Sequence, residues 1–137
     1  MEQYESKQVR IERPAELIYG ALSDFSRFTP ILQDKVEGWE ATGDRCSFRA
    51  QGLTFRLQIV EREAPKVVKI APEEGSPIDF IFWLQLHPVA AEDTRMRLVL
   101  HAELNMMMKM IIGGKLQQGL DAIAEKIAET FNRKSGE

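Results

Sequence analysis

Two glycine-led connections, Gly43-Asp44 and Gly52-Leu53, constrain this chain most, because each fixes the register of a hairpin. A two-residue connection with Gly first has the composition of a type II′ turn, whose twist matches that of the flanking strands. Pairing Thr42 with Arg45 sets Trp39 opposite Phe48 and Ala41 opposite Cys46. Pairing Gln51 with Thr54 sets Ala50 opposite Phe55, Phe48 opposite Leu57 and Cys46 opposite Ile59. The two registers are independent, yet both choose one apolar face and send Glu40, Ser47, Arg49, Arg56 and Gln58 to the other. An antiparallel meander with one dry and one wet face follows.

The same alternation continues on either side. Tyr4 to Ile11 reads as a strand, Val67 to Ala71 as a short one, and Ile78 to Val89 as a longer one in which Phe80, Phe82, Leu84 and Leu86 alternate with Ile81, Trp83, Gln85 and His87. Met96, Leu98, Leu100, Ala102 and Leu104 alternate with Arg97, Val99, His101 and Glu103 in the last strand. Between the first strand and the meander, Pro14 suits the first turn of a helix carrying Ile18, Leu22 and Phe25. Asp24 or Ser26 then caps a second brief turn that stops near Pro30. After the last strand, Asn105 caps a helix with Leu116, Leu120, Ile123, Ile127 and Phe131 on one stripe, running on to Arg133, Lys134 and a trailing Gly136. Unbroken from Met106 to Arg133, that helix is about 42 Å long, and only a broad curved sheet covers it.

The 137 residues carry no repeat, low-complexity tract or linker, so a single domain over residues 1–137 is expected. Hydrophobic residues make up 44% and no apolar run approaches the roughly 18 residues of a membrane helix, which points to a soluble chain without integral membrane association. The net charge is −3 and the basic residues are dispersed, the reverse of a nucleic-acid footprint. The lone Cys46 has no disulfide partner, and the opening MEQYESKQVR has neither a secretory core nor a lipidation motif, so the expected location is the cytoplasm.

One strand, two short helices, a six-stranded meander and a long last helix give the order β-α-α-β(6)-α. With IERPAELIYGALSDFSRFTPIL at Ile11 to Leu32 and the amphipathic LQQGLDAIAEKIAETF near the end, the chain resembles the START/polyketide-cyclase/plant-allergen (SRPBCC) superfamily. The resemblance implies an α+β helix-grip fold, a curved seven-stranded antiparallel sheet wrapped around the C-terminal helix. It also implies a function among those of the superfamily: binding of lipids, quinones, hormones or polyketides, cyclase-type catalysis, or protein interaction. Fold does not choose among these.

Strand parity narrows the choice. The face turned toward the long helix carries Val9, Ile11, Trp39, Ala41, Cys46, Phe48, Phe55, Leu57, Ile59, Phe80, Phe82, Leu98 and Leu100, with no acid, base or amide for catalysis. His87 and His101 fall on the opposite parity, and Cys46 beside Trp39 and Phe48 reads as a packing residue. No nucleophile elbow, Walker loop, dinucleotide fingerprint or metal-ligand spacing is present, so no catalytic residue, metal or cofactor is assigned. The expected function is binding of a small hydrophobic or amphipathic ligand, a lipid, quinone or polyketide-like molecule, in a cavity between sheet and helix. Its expected lining is Trp39, Phe48, Phe55, Leu57, Phe80, Phe82, Leu98, Leu100, Met110 and Gly113. Gly113, on the inward stripe where a large side chain belongs, has two available causes: the helix backbone presses against the sheet there, or the missing side chain leaves room for a ligand near Met106, Met107, Met108 and Met110, which serve as a ligand entrance or as gap fillers; the ligand reading is the one favoured. Alternatives are a cyclase-like or hydrolytic enzyme and an interaction module with a filled core. For the last, Ile81, Trp83 and Val99 on the outward face form the expected patch for a homodimer or a partner protein; the outward Arg49 and Arg56 form a like-charge pair suited to an anion, although charge balance by the nearby Glu40 is the favoured account.

Overall fold

The segments of period two pair into one antiparallel sheet. The computed structural model describes residues 1–50 and 52–133. Its elements run β1 (Glu2–Glu5), β2 (Val9–Ile11), α1 (Ala15–Leu22), a 3-10 turn (Phe25–Phe28), α2 (Thr29–Leu32), β3 (Glu37–Ala41), β4 (Arg45–Ala50), β5 (Leu53–Glu63), β6 (Val67–Pro72), β7 (Phe80–Ala90), β8 (Asp93–Ala102) and α3 (Met106–Asn132). The spatial order is β1-β8-β7-β6-β5-β4-β3, with β2 also on β8, so β1 and β3 are the sheet edges. The curved sheet and long C-terminal helix make the α+β helix-grip architecture.

The expected first strand is two. β1 pairs Tyr4 with Leu100, while β2 pairs Val9 with Met96, so one extra residue stands on this side of the ladder. Such a bulge inverts side-chain parity, and Tyr4, out of phase with Val9 and Ile11 in the sequence, joins them on the inner face. A second slip lies between Glu37 and Glu40, where Gly38 has φ +63°; Ala41 still faces Cys46 as expected.

The β4–β5 register differs from the expectation by two residues. Ala50 pairs with Leu53, Phe48 with Phe55 and Cys46 with Leu57, and Gly52 is the second residue of the connection, at φ +76°. Because the shift is even, every residue keeps its face. Arg49 then faces Thr54 and Arg56 faces Ser47, so the two arginines are not directly opposed. Gly43 lies outside the positive-φ region, so its turn is not type II′. Thr42 N–H still closes it on Arg45 O at 2.8 Å, and Gly43 O accepts the Phe25 N–H at 3.1 Å, tying the hairpin to the 3-10 turn. The expected Gln51 pairing, and Lys134 and Gly136 at the helix end, lie outside the described residues.

Caps follow local chemistry. Asp24 Oδ1 accepts the Ser26 N–H at 2.9 Å, and the hydrogen bonds from Ser26 hold the Asp24 carboxyl below its ordinary range. Pro30 opens α2 in its first turn rather than ending a helix. Asn105 Oδ1 accepts the Met108 N–H at 2.8 Å at the start of α3, as expected. The core lies between α1, α3 and the β6–β8 part of the sheet, where Ile11, Ile18, Val68, Leu84, Met96, Leu98 and Ile127 are sealed from solvent.

Candidate functional site

The inner face divides in two. α3 buries Gly113, Leu120, Ala124, Ile127 and Ala128, and it packs chiefly on β2, β8 and β1, at one side of the sheet. Trp39, Phe48, Phe55 and Leu57 lie toward the opposite edge and remain half-exposed. Phe48 stacks on Phe55 with ring centroids 5.4 Å apart, and Trp39 tilts against Phe48 at 6.1 Å. Trp39 Nε1 donates to Thr29 Oγ1 at 2.8 Å, which satisfies its one polar atom and leaves an apolar ring toward the concavity. Phe80 and Phe82 continue the surface on β7, also half-exposed.

The other expected lining residues sit differently. Leu98 is 0% and Leu100 9% exposed, both within the core. Met110 is 81% exposed. It shares a helix face with Gln117 and Asp121, seven and eleven residues on. Those two reach the sheet edge, where Gln117 Nε2 donates to Glu5 O and Asp121 Oδ1 accepts the Lys7 N–H, both at 2.7 Å. Met110 therefore lies above the β1 edge, away from the concavity; Met106 and Met107 are also exposed, whereas Met108 and Ile112 are half-buried. The space expected beside Gly113 is filled: a Cβ there would lie 3.2 Å from the Tyr4 hydroxyl. Close approach of helix and sheet, made by the β1 bulge, explains this glycine. An unbroken strand from Tyr4 to Ile11 would turn Tyr4 outward; the break at Ser6, a polar residue within an otherwise strand-like run, turns it inward.

Chemistry at the concavity is sparse. Cys46 is buried and its thiol is pushed up from the ordinary 9.0 to about 12, first by loss of hydration and then by the charge of Glu73, against a lowering contribution from the Leu57 backbone. Among the described residues no group of three or more His, Cys, Asp or Glu is placed to hold a metal ion, and no helix is long and apolar enough to cross a membrane.

On the outer face, Trp83 pairs with Val99 and meets His101 edge-on at 4.7 Å, with Lys69 Nζ 5.8 Å from its ring centroid. Val99 is buried, and Ile81 and Trp83 are half-buried. Two clefts lie apart from the aromatic concavity. One, of about 200 Å³, is bounded by Leu22, Phe28, Ile31, Ile127 and Phe131 where α1, α2 and the end of α3 meet. The other, of about 390 Å³, opens on the outer face between Gln8, Lys66, Val67, Gln85, Leu86, His87, Arg95 and Arg97.

No family model matches the chain, and no curated relative matches it. Solved structures do. Norcoclaurine synthase from Thalictrum flavum, in complex with dopamine and hydroxybenzaldehyde, is similar at a TM-score of 0.75 and 14% identity over 98% of this chain and 88% of that one. The Aha1 dimer from Colwellia psychrerythraea gives 0.72 at 15% identity over 99% and 100% of the two chains. A Thermobifida fusca protein solved in solution gives 0.71 at 16% identity over 97% and 95%. These likenesses span nearly the whole chain, and at such identities they speak for architecture: the helix-grip fold expected from Ile11 to Leu32 and the last helix is the fold of this protein.

Proposed function

We propose that this domain binds a small hydrophobic or amphipathic molecule on the inner face of the sheet, against Trp39, Phe48, Phe55, Leu57, Phe80 and Phe82. One observation carries the reading: these side chains are only half-buried on the concave face, with Trp39, Phe48 and Phe55 in ring-to-ring contact, while α3 packs chiefly on β2, β8 and β1. Large aromatic groups with little polar competition suit a ligand held by area and shape, and a few polar atoms at the rim, such as Thr29 Oγ1, suffice to orient it. Cys46, paired with Leu57 at this surface, is held as a neutral thiol, which favours binding over covalent chemistry through it.

The test is saturable fluorescence enhancement of N-phenyl-1-naphthylamine by the full chain, compared with Phe48→Ala and Phe55→Ala. Each substitution is expected to weaken binding about tenfold, the loss of one well-buried aromatic contact. No saturable signal from the folded protein, or unchanged affinity in both variants, overturns the reading.

A further inference from the structure

On the outer face, the cleft beside β7 and β8 concentrates positive charge in a chain whose net charge is −3. Arg95 and Arg97 project from β8, His87 and Gln85 lie opposite them on β7, and Lys66 and Gln8 close the two sides. Its lining includes no carboxylate. Lys66, His87 and Arg97 form no ion pair among the described residues.

Arg95 is the most constrained of the set. It faces Arg10 across the β2–β8 pair, and like charges placed directly opposite in a sheet oppose pairing. Asp93 offsets this in part, but it is divided between Arg10 Nε and Arg95 Nε, each at 3.3 Å. Arg95 Nε is shut off from solvent and has no hydrogen-bond partner of good geometry. Arg10 has a second partner in Glu12 at 3.6 Å, so Arg10 and Arg95 are balanced by Asp93 and Glu12, whereas Arg97, His87 and Lys66 pair with no carboxylate among the described residues. Glu61 and Glu63, on the neighbouring β5, pair in register with Lys69 and Val67 and lie outside the cleft.

We propose that this cleft binds a small organic polyanion, a phosphate ester or a polycarboxylate. The guanidinium of Arg97 supplies paired donors to the anion, Lys66 and His87 add donors from the β6 and β7 side, and the Gln85 amide lies between them. Leu86 and Val67 give the cleft an apolar part for the carbon skeleton. A volume of about 390 Å³ matches a small molecule. This site is on the opposite side of the sheet from the aromatic concavity, and neither reading depends on the other.

The experiment is a titration of the full-length, isotopically labelled chain at low ionic strength, with pyrophosphate in one arm and citrate in the other, followed by backbone amide shifts. Saturable shifts confined to Lys66–Val67, Gln85–His87 and Arg95–Arg97 are expected, and the tighter arm identifies the anion class. Arg97→Gln, which keeps a polar side chain, is expected to weaken binding about tenfold, and the exposed Lys66→Gln to weaken it less. Arg49→Gln, also on the outer face but at the other end of the sheet, should bind as wild type. The proposal is overturned if neither anion gives saturable shifts, if shifts are shared equally by basic residues across the whole surface, or if both cleft variants bind like wild type.

Discussion

Ser6 and Leu98 exchange two hydrogen bonds, but only one is of the ordinary sheet kind. Ser6 N–H donates to Leu98 O at 2.8 Å, while Leu98 N–H donates to the Ser6 hydroxyl, Oγ, at 2.9 Å. The hydroxyl in turn donates to Lys7 O at 2.8 Å. A side chain thus takes the acceptor role the main chain gives up where the strand bulges, and Ser6 is buried for that reason. Ser6→Ala leaves the Leu98 N–H buried without a partner and is expected to lower stability by about 1 to 3 kcal/mol. Denaturant unfolding measures this, and a loss below a few tenths would contradict the assigned role.

Gly113 gives a second expectation. With the Tyr4 hydroxyl 3.2 Å from where a Cβ would stand, Gly113→Leu overpacks the contact between α3 and β1. A loss of about 1 to 3 kcal/mol follows, read as a lower unfolding midpoint. Pairing it with Tyr4→Phe, which removes the opposing hydroxyl, should recover part of the loss; no recovery would mean that Tyr4 is not the obstacle.

Cys46 predicts a pH dependence. Its thiol is raised to about 12 in the folded chain from the ordinary 9.0, so the unfolded state releases this proton first as pH rises. The stability linked to this group is full below about 9 and is lost progressively as pH rises toward about 12. Wild type should therefore lose stability faster than Cys46→Ala between pH 8 and the onset of alkaline unfolding. Parallel curves would show that burial does not hold the thiol neutral.

Val99 is buried within the chain, so of the expected patch only Ile81 and Trp83 are left to meet a partner, and a homodimer seated there would place the half-buried Trp83 at its centre. Trp83→Ala is then expected to convert the sedimenting dimer to monomer, because buried aromatic residues dominate such contacts. A wild-type chain that sediments as monomer at every concentration removes the patch as a self-association surface.

What the sequence made legible was whatever depends on parity and local caps. Phe48, Phe55, Phe80 and Phe82 are on the expected face, and Asn105 caps the expected helix. An even slip in the β4–β5 register could not disturb this, since side-chain direction repeats every two residues. An odd slip did disturb it: the single extra residue between Tyr4 and Val9 brought Tyr4 inward and filled the space assigned to a ligand beside Gly113. The placement of Met110 was illegible for another reason. Helical periodicity gives angles around the α3 axis, but which side meets the concavity is set by where the helix lies across the sheet, here fixed by the long-range bonds from Gln117 to Glu5 O and from the Lys7 N–H to Asp121.

The off-centre seat of α3 also bears on how such a chain changes over time. Residues that hold the domain together gather around α3, α1 and the β6–β8 strands, whereas Trp39, Phe48, Phe55 and Leu57 lie toward the opposite edge and are only half-buried. Substitutions among those four should disturb folding less than substitutions at Leu98 or Ile127, because less packing is lost. The side chains that hold the fold and those of the half-buried aromatic surface are thus largely separate sets, so the second can change at little cost to the first.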